Sequence, residues 1–275
     1  MGVAVVCLGV IAAVALRGTD QKEEPVAVNA SASIAVGGDL HAVVTLGSRR
    51  FVSGHDGAGF SDVYRSWQAI PTLGGKDAMG WAAVPGRILV GGHEGLYLST
   101  DEGRSFEAAD TNLPVTDVHA LGAAKNTVYA ASPQSGLFRS DDSGNTFVRV
   151  SDTAASFMGT IAVDPGDPEH LLAPDMRAGV AQSKDGGRTW TALGGPEGTM
   201  SVAWNPKDLR QIAAVGMDGL MVSRDGGVTW AKLDTEGPAS AVAFDGKGNL
   251  LLAVLDGARA EVYVADGLTA PWTRI

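Results

Sequence analysis

The sequence predicts an all-β chain folded as a β-propeller of six four-stranded blades, with a seventh left open. Two observations carry this. One eight-residue pattern occurs four times, as Ser99-x-Asp101-x-Gly103-x-x-Phe106, Ser140-x-Asp142-x-Gly144-x-x-Phe147, Ser183-x-Asp185-x-Gly187-x-x-Trp190 and Ser223-x-Asp225-x-Gly227-x-x-Trp230. The serines are 41, 43 and 40 residues apart, and a period near 40 marks a unit that stacks on its neighbours. Within each period the apolar residues fall into four short runs separated by Gly, Asp, Asn and Pro, the pattern of short strands joined by turns. Four-stranded units repeated radially make a propeller.

The octet is a hairpin staple. Asp and Ser side chains hydrogen-bond backbone groups in tight turns, and Gly takes positive φ without steric cost. The aromatic three residues later opens the next strand and covers the turn. Two degenerate copies extend the array. Gly54-His55-Asp56-Gly57 leads to Trp67 as Gly92-His93-Glu94-Gly95 leads to the first octet, and Val264-Ala265-Asp266-Gly267 leads to Trp272. The units then run over 29–70, 71–109, 110–149, 150–192, 193–233 and 234–275. In the fourth, strands are expected at 159–163, 170–173, 179–182 and 190–193. Residues 31–37 are expected to close the ring as an extra outer strand near 272–275.

The octets resemble the BNR or Asp-box repeat. That repeat is shared by sialidases, sortilin-like receptors, some xyloglucan hydrolases, photosystem assembly factors and glycosylhydrolase-like bacterial proteins. The resemblance covers nearly all the chain after residue 30. It implies the propeller fold, and it leaves hydrolase, receptor and assembly platform open, because fold does not carry activity with it.

Composition agrees with one domain over 34–275: of 275 residues, 45% are hydrophobic and only 19% charged. A net charge of −10 with scattered lysines excludes a nucleic-acid groove, which needs clustered Lys and Arg. A monomer is expected. Residues 1–16 are apolar and 17–33 form a linker. Sixteen residues are short of the roughly 20 that span a bilayer, and no basic residues precede them as in a signal peptide. The expectation is an export segment that tethers the propeller outside the cytoplasm, or one whose true start lies upstream; a buried helix is the alternative. Cys7, the single cysteine, excludes an internal disulfide, and Val6 before it argues against a lipoprotein signal.

Reactive residues divide unevenly between the two propeller faces. Strands run from axis to rim, so the octet turns share one face and the entries to the innermost strands share the other. Those entries carry Asp39-x-His41, Asp77-x-Met79 and Asp117-x-His119, then Met158 and Met200. The second-to-third strand turns of the same face carry His55, His93, Asp175, Met176 and Met217. Four of five histidines thus map to one face, His170 being the exception.

Three readings follow from that asymmetry. In the first, these residues only pack and cap strand ends. In the second, His41, Met79, His119 and Met158 hold a soft metal such as copper, which thioether and imidazole ligands suit, with Asp39 and Asp117 orienting the histidines. In the third, Asp39, Asp77 and Asp117 serve a glycosidase as acid and base, with Trp81 as a sugar platform. A sialidase is disfavoured. The resemblance would require an arginine cluster and a free tyrosine nucleophile, whereas Tyr64, Tyr97, Tyr129 and Tyr263 fall within strands, and Arg65, Arg139 and Arg224 sit beside the octets. The sequence therefore predicts a ligand-binding propeller, leaning away from an enzyme, whose partner is a protein or a carbohydrate.

Overall fold

The computed structural model describes residues 33–62, 66–152 and 156–275. The expected export segment 1–16, Cys7, nearly all the linker, Tyr64 and Arg65 lie outside the described residues. No helix among the described residues is long and apolar enough to cross a membrane.

Six small antiparallel sheets follow one another along the chain and close into a ring, a six-bladed β-propeller. Blade one comprises Leu40–Leu46, Arg49–Gly54, Gly57–Ser61 and Gln68–Ala69. Blade two comprises Gly80–Val84, Arg87–Gly92, Gly95–Ser99 and Glu107–Ala108. Blade three comprises Ala120–Ala124, Thr127–Ser132, Gly136–Ser140 and Val148–Ser151. Blade four comprises Ala162–Val163, Leu171–Asp175, Gly179–Ser183 and Thr191–Gly194. Blade five comprises Ser201–Trp204, Ile212–Gly216, Gly219–Ser223 and Ala231–Lys232. Blade six contains Ala239–Phe244, Leu250–Asp256 and Arg259–Ala265.

The outer edge of blade six closes the ring. Ile34–Ala35 pairs with Ala260 and Arg259, and Thr273–Arg274 pairs with Val264 and Tyr263. The two short strands therefore lie end to end on one edge, rather than against each other as the sequence suggested. Ile275 is buried, and its carbonyl accepts from Trp67 Nε1 of blade one at 3.3 Å.

The core lies between the blades. Six clusters of buried side chains each draw on two adjacent blades, including one that joins blade six to blade one. A strand covered on both faces reads as a continuous apolar run, as in residues 250–254, all buried. Trp81 belongs to this core. It is 1% exposed and packs on Phe51 at 5.0 Å and Phe106 at 5.7 Å, so it offers no platform to a sugar.

The octets form the expected turns. In each, the buried Ser Oγ accepts from the Gly N–H four residues on, at 2.8–2.9 Å. The Asp carboxylate accepts from the backbone N–H and the hydroxyl of residue 105, 146, 189 or 229. The octet glycine has a further role. Gly187 has φ +85°, and a Cβ there would lie 2.2 Å from Leu137 of the preceding blade. The turn is thus a seat for its neighbour as well as a staple.

Blade four departs from the pattern. Its expected inner strand, 159–163, is split. Gly159–Thr160 pairs in parallel with Ala120 and Leu121 of blade three, and only Ala162–Val163 stays with its own blade. The cause is local. Ile161 N–H donates to Leu121 O at 2.7 Å, and Gly122 lacks the Cβ that would stand 2.1 Å from the Ile161 carbonyl. A Cβ on Gly159 would lie within 4 Å of the Met200 and His41 carbonyls, so backbone crosses the axis here. An apolar cup of about 250 Å³ remains beyond that crossing, between blades one, four, five and six.

Candidate functional site

The face opposite the octets carries a continuous chain of imidazoles and carboxylates across blades one to three. Its first residue, His41, stands at the start of the inner strand of blade one. Asp77 enters blade two. His55 and His93 occupy the second-to-third strand turns of blades one and two. Asp117 and His119 enter blade three.

Glycine brings these segments together. A Cβ on Gly92 would fall 1.7 Å from the Asp77 carbonyl, and one on Gly54 2.0 Å from the Asp39 carbonyl. The turns that carry His93 and His55 can therefore lie directly on the incoming strand entries.

Asp77 is the hub. Its side chain is 4% exposed. His41 Nε2 lies 2.8 Å from Oδ1, and His93 Nε2 and His55 Nδ1 lie 3.1 and 3.5 Å from Oδ2. His93 continues the chain, with Nδ1 2.8 Å from Asp117 Oδ1. His119 Nε2 is 2.9 Å from the same oxygen, and Gln134 Nε2 donates to Asp117 Oδ2 at 2.8 Å. The contacts cross blade boundaries: each turn histidine meets the carboxylate of the following blade.

Three of these atoms are buried yet lack an aligned hydrogen bond: His41 Nε2, Asp77 Oδ1 and His119 Nε2. They face a partner at close range, but the N–H directions do not point along the contact. Buried polar atoms are normally paired. Two donors bound to one ion at about 2.0–2.1 Å would lie roughly 3.0–3.4 Å apart, close to the separations seen here. Two sets of ligand atoms each fall within 4.8 Å of one another: His41, His55 and Asp77, and His93, Asp117 and His119.

The electrostatics separate the members. Burial alone would raise the Asp77 carboxyl, but contact with His41 and the charges of His41, His93 and His55 outweigh it, and its pKa is lowered. Burial is likewise the largest influence on Asp117, overcome by Gln134, His93 and His119, so its pKa too is lowered. The hydrogen bond to Asp117 raises His93, whereas burial lowers His119. At neutral pH both carboxylates are ionised and His119 is a neutral imidazole with a free lone pair, the form that binds metals.

The other expected residues are placed differently. Asp39 is 72% exposed and 4.0 Å from His41 Nδ1, beyond hydrogen-bonding reach. The strand bulges between Leu40 and Ala42, which breaks the alternation that would have kept residues 39 and 41 together. Asp175 caps its own turn, accepting from Arg177 and Ala178 N–H at 2.8 and 3.2 Å. Met79 is buried, 3% exposed, and Met158 is half-buried. Met176, Met200 and Met217 are exposed on blades four and five. His170 is held apart by Asp164 and Gln182 and meets the Trp204 ring at a tilt of 60°.

Sequence reasoning found four of the histidines but missed the cross-blade pairing and Gln134. A signal was present. His55 precedes Asp77 by 22 residues and His93 precedes Asp117 by 24. At the next step the corresponding positions hold Gln134 and, 22 residues on, Ser156, and the series ends there.

No protein-family model and no curated protein matches the chain. Solved structures do. The chain is similar to a GH74 xyloglucanase from Xanthomonas campestris, with TM-score 0.59 and 18% identity over 88% of this chain and 46% of that one. It is similar to YCF48 bound to a D1 peptide, with TM-score 0.57 and 13% identity over 88% and 84%. A third likeness is to the extracellular domain of a one-component system from B. thetaiotaomicron, with TM-score 0.55 and 13% identity over 80% and 32%. The chain spans about half the length of the GH74 xyloglucanase. At these identities the likeness establishes a shared propeller fold.

Proposed function

We propose that this chain is an extracytoplasmic binding propeller that takes up a divalent transition-metal ion on its His/Asp face. One observation carries the reading: His41 Nε2, Asp77 Oδ1 and His119 Nε2 are buried without aligned hydrogen bonds, within two sets of ligand-spaced donors. Imidazole and carboxylate together suit Zn²⁺, Cu²⁺ or Fe²⁺ better than Ca²⁺ or Mg²⁺. The copper expected from sequence stays in this range, with the carboxylates replacing thioethers as the donors that accompany His41 and His119. The exposed His55 and His93 leave the set open to solvent, so an ion has an entry path.

The glycosidase reading is weaker on the same geometry. An acid catalyst needs a carboxyl with a raised pKa, and Asp77 and Asp117 are both lowered and engaged by histidines. A docking role is favoured by a separate observation, the exposure of Met176, Met200 and Met217 on the same face. Methionine adapts to irregular partners, and a protein ligand there fits the proposed setting.

The test is metal analysis of the purified full chain after loading with copper, zinc and iron and exhaustive dialysis. Wild type is expected to retain metal. His41→Ala with His119→Ala is expected to lose it with an unchanged circular dichroism spectrum. Gly92→Ala, which drives a Cβ into the Asp77 carbonyl, is expected to weaken retention at least tenfold. Wild type that retains no metal refutes the reading.

A further inference from the structure

Among the described residues, His93 is the single side chain that contacts both carboxylates. Its Nδ1 lies 2.8 Å from Asp117 Oδ1 and its Nε2 lies 3.1 Å from Asp77 Oδ2. The two nitrogens of one ring therefore face the two ligand sets in opposite directions. His41, His55 and Asp77 form one ligand-spaced set and His93, Asp117 and His119 the other, and His93 reaches the first set through Asp77 Oδ2.

We propose that the face holds two metal ions, not one, and that the His93 ring bridges them. This rests on the metal-binding reading above and goes further, in stoichiometry and in coupling. His41 Nε2, His55 Nδ1 and an Asp77 oxygen hold the first ion, and His93 Nε2, 3.1 Å from Asp77 Oδ2, completes its shell as the half-exposed ring shifts towards it. His93 Nδ1, Asp117 Oδ1 and His119 Nε2 hold the second.

Two bonds of about 2.0–2.1 Å across the ring place the ions about 6 Å apart. That is longer than the roughly 3.5–4 Å of a two-metal hydrolytic clamp. The arrangement therefore suits electronic and binding coupling between the ions, not a shared substrate oxygen. The chemistry balances. A doubly protonated His93 ring gives up one proton to solvent as each ion binds, ending as an imidazolate bonded to both. No electron is transferred.

The surroundings fit this bridging role. His93 is half exposed, so its second proton has a route to water. The carboxylates on either side are both ionised, which offsets the charge of two cations. The bridge also crosses the boundary between blades two and three, since Asp117 enters blade three. His41 and His55 bring blade one into the first ion's shell. Occupying both sites therefore ties three consecutive blades together.

The experiment uses the full chain loaded with Cu²⁺ and dialysed. Copper per chain is measured by mass spectrometry and spins per chain by electron paramagnetic resonance. The expected wild-type result is two coppers per chain with far fewer than two detectable spins, because bridged Cu²⁺ ions couple. His93→Gln is expected to retain about one copper, with one ordinary uncoupled spin, because His41, His55 and Asp77 remain. His119→Ala is expected to give the same pattern by emptying the second site, and it guards against a folding defect peculiar to position 93. Circular dichroism monitors the fold of each variant. One copper per chain in wild type, or two coppers with two full spins, overturns the bridge while leaving the metal-binding reading standing. No copper at all overturns both.

Discussion

Replacing Ser183 by alanine tests the view that the octets are structural. Ser183 is 1% exposed. Its Oγ accepts from Gly187 N–H at 2.8 Å and donates to Asp185 Oδ1 at 2.8 Å. Alanine removes both contacts, with a longer one from Asp185 N–H at 3.3 Å, and leaves the Gly187 N–H buried beneath Leu137 of the preceding blade, out of reach of water. An unpaired buried donor costs about 1–3 kcal/mol. Asp185 keeps its bonds from Arg188 N–H, Thr189 N–H and Thr189 Oγ1, so the turn holds its shape and the loss stays near the middle of that range. For a domain of this size about 1 kcal/mol lowers Tm by roughly 2–4 °C, so a fall of about 4–8 °C is expected by calorimetry. Val228→Ser, at a side chain 80% exposed, serves as a control and should not move. Metal content of Ser183→Ala should equal wild type, because the octets lie on the opposite face from the histidines. An unchanged Tm, or a loss of metal at unchanged Tm, would refute the assignment of roles to the two faces.

Acid should act through the same turns. The Asp142, Asp185 and Asp225 carboxyls are each lowered from 3.8 to about 2, first by the hydroxyls of Thr146, Thr189 and Thr229. A folded pKa below the unfolded one gives stability that is present above the unfolded value and lost as pH falls through the folded value. The Tm difference between wild type and Asp185→Asn should therefore be full above about pH 5 and shrink between about pH 4 and pH 2. A difference that persists undiminished at pH 2 would mean that shape rather than charge carries the turn.

Much of this molecule was readable from the chain alone. The four octets repeat a local contact, a serine and an aspartate folding back on residues three or four ahead, and local contacts leave a local pattern. The apolar runs between them mark strands covered on both faces, so blade number and strand order followed directly. Trp81 was harder to place. Its period-two position put it level with Asp77 and Met79, but burial depends on what the next blade presents, and Phe51 and Phe106 enclose it. The split of 159–163 was equally invisible, because its cause is a backbone bond to Leu121, some forty residues away in the neighbouring blade.

The candidate site divides along the same line. The sequence by itself determined that histidines gather on one face, since strand direction alternates strictly around a propeller and any turn can be assigned to a face by counting. Only the tertiary structure decided which histidine meets which carboxylate. Asp39 was the expected neighbour of His41, yet the bulge between Leu40 and Ala42 turns it to solvent and leaves His41 to Asp77 of the next blade. The physical reason is that these pairs cross blade boundaries. Their distances are set by how closely one sheet packs on the next, where Ala78 N–H donates to Gly54 O at 3.2 Å and Val118 N–H to Gly92 O at 2.9 Å, and blade packing is a property of two segments that no single stretch of chain contains.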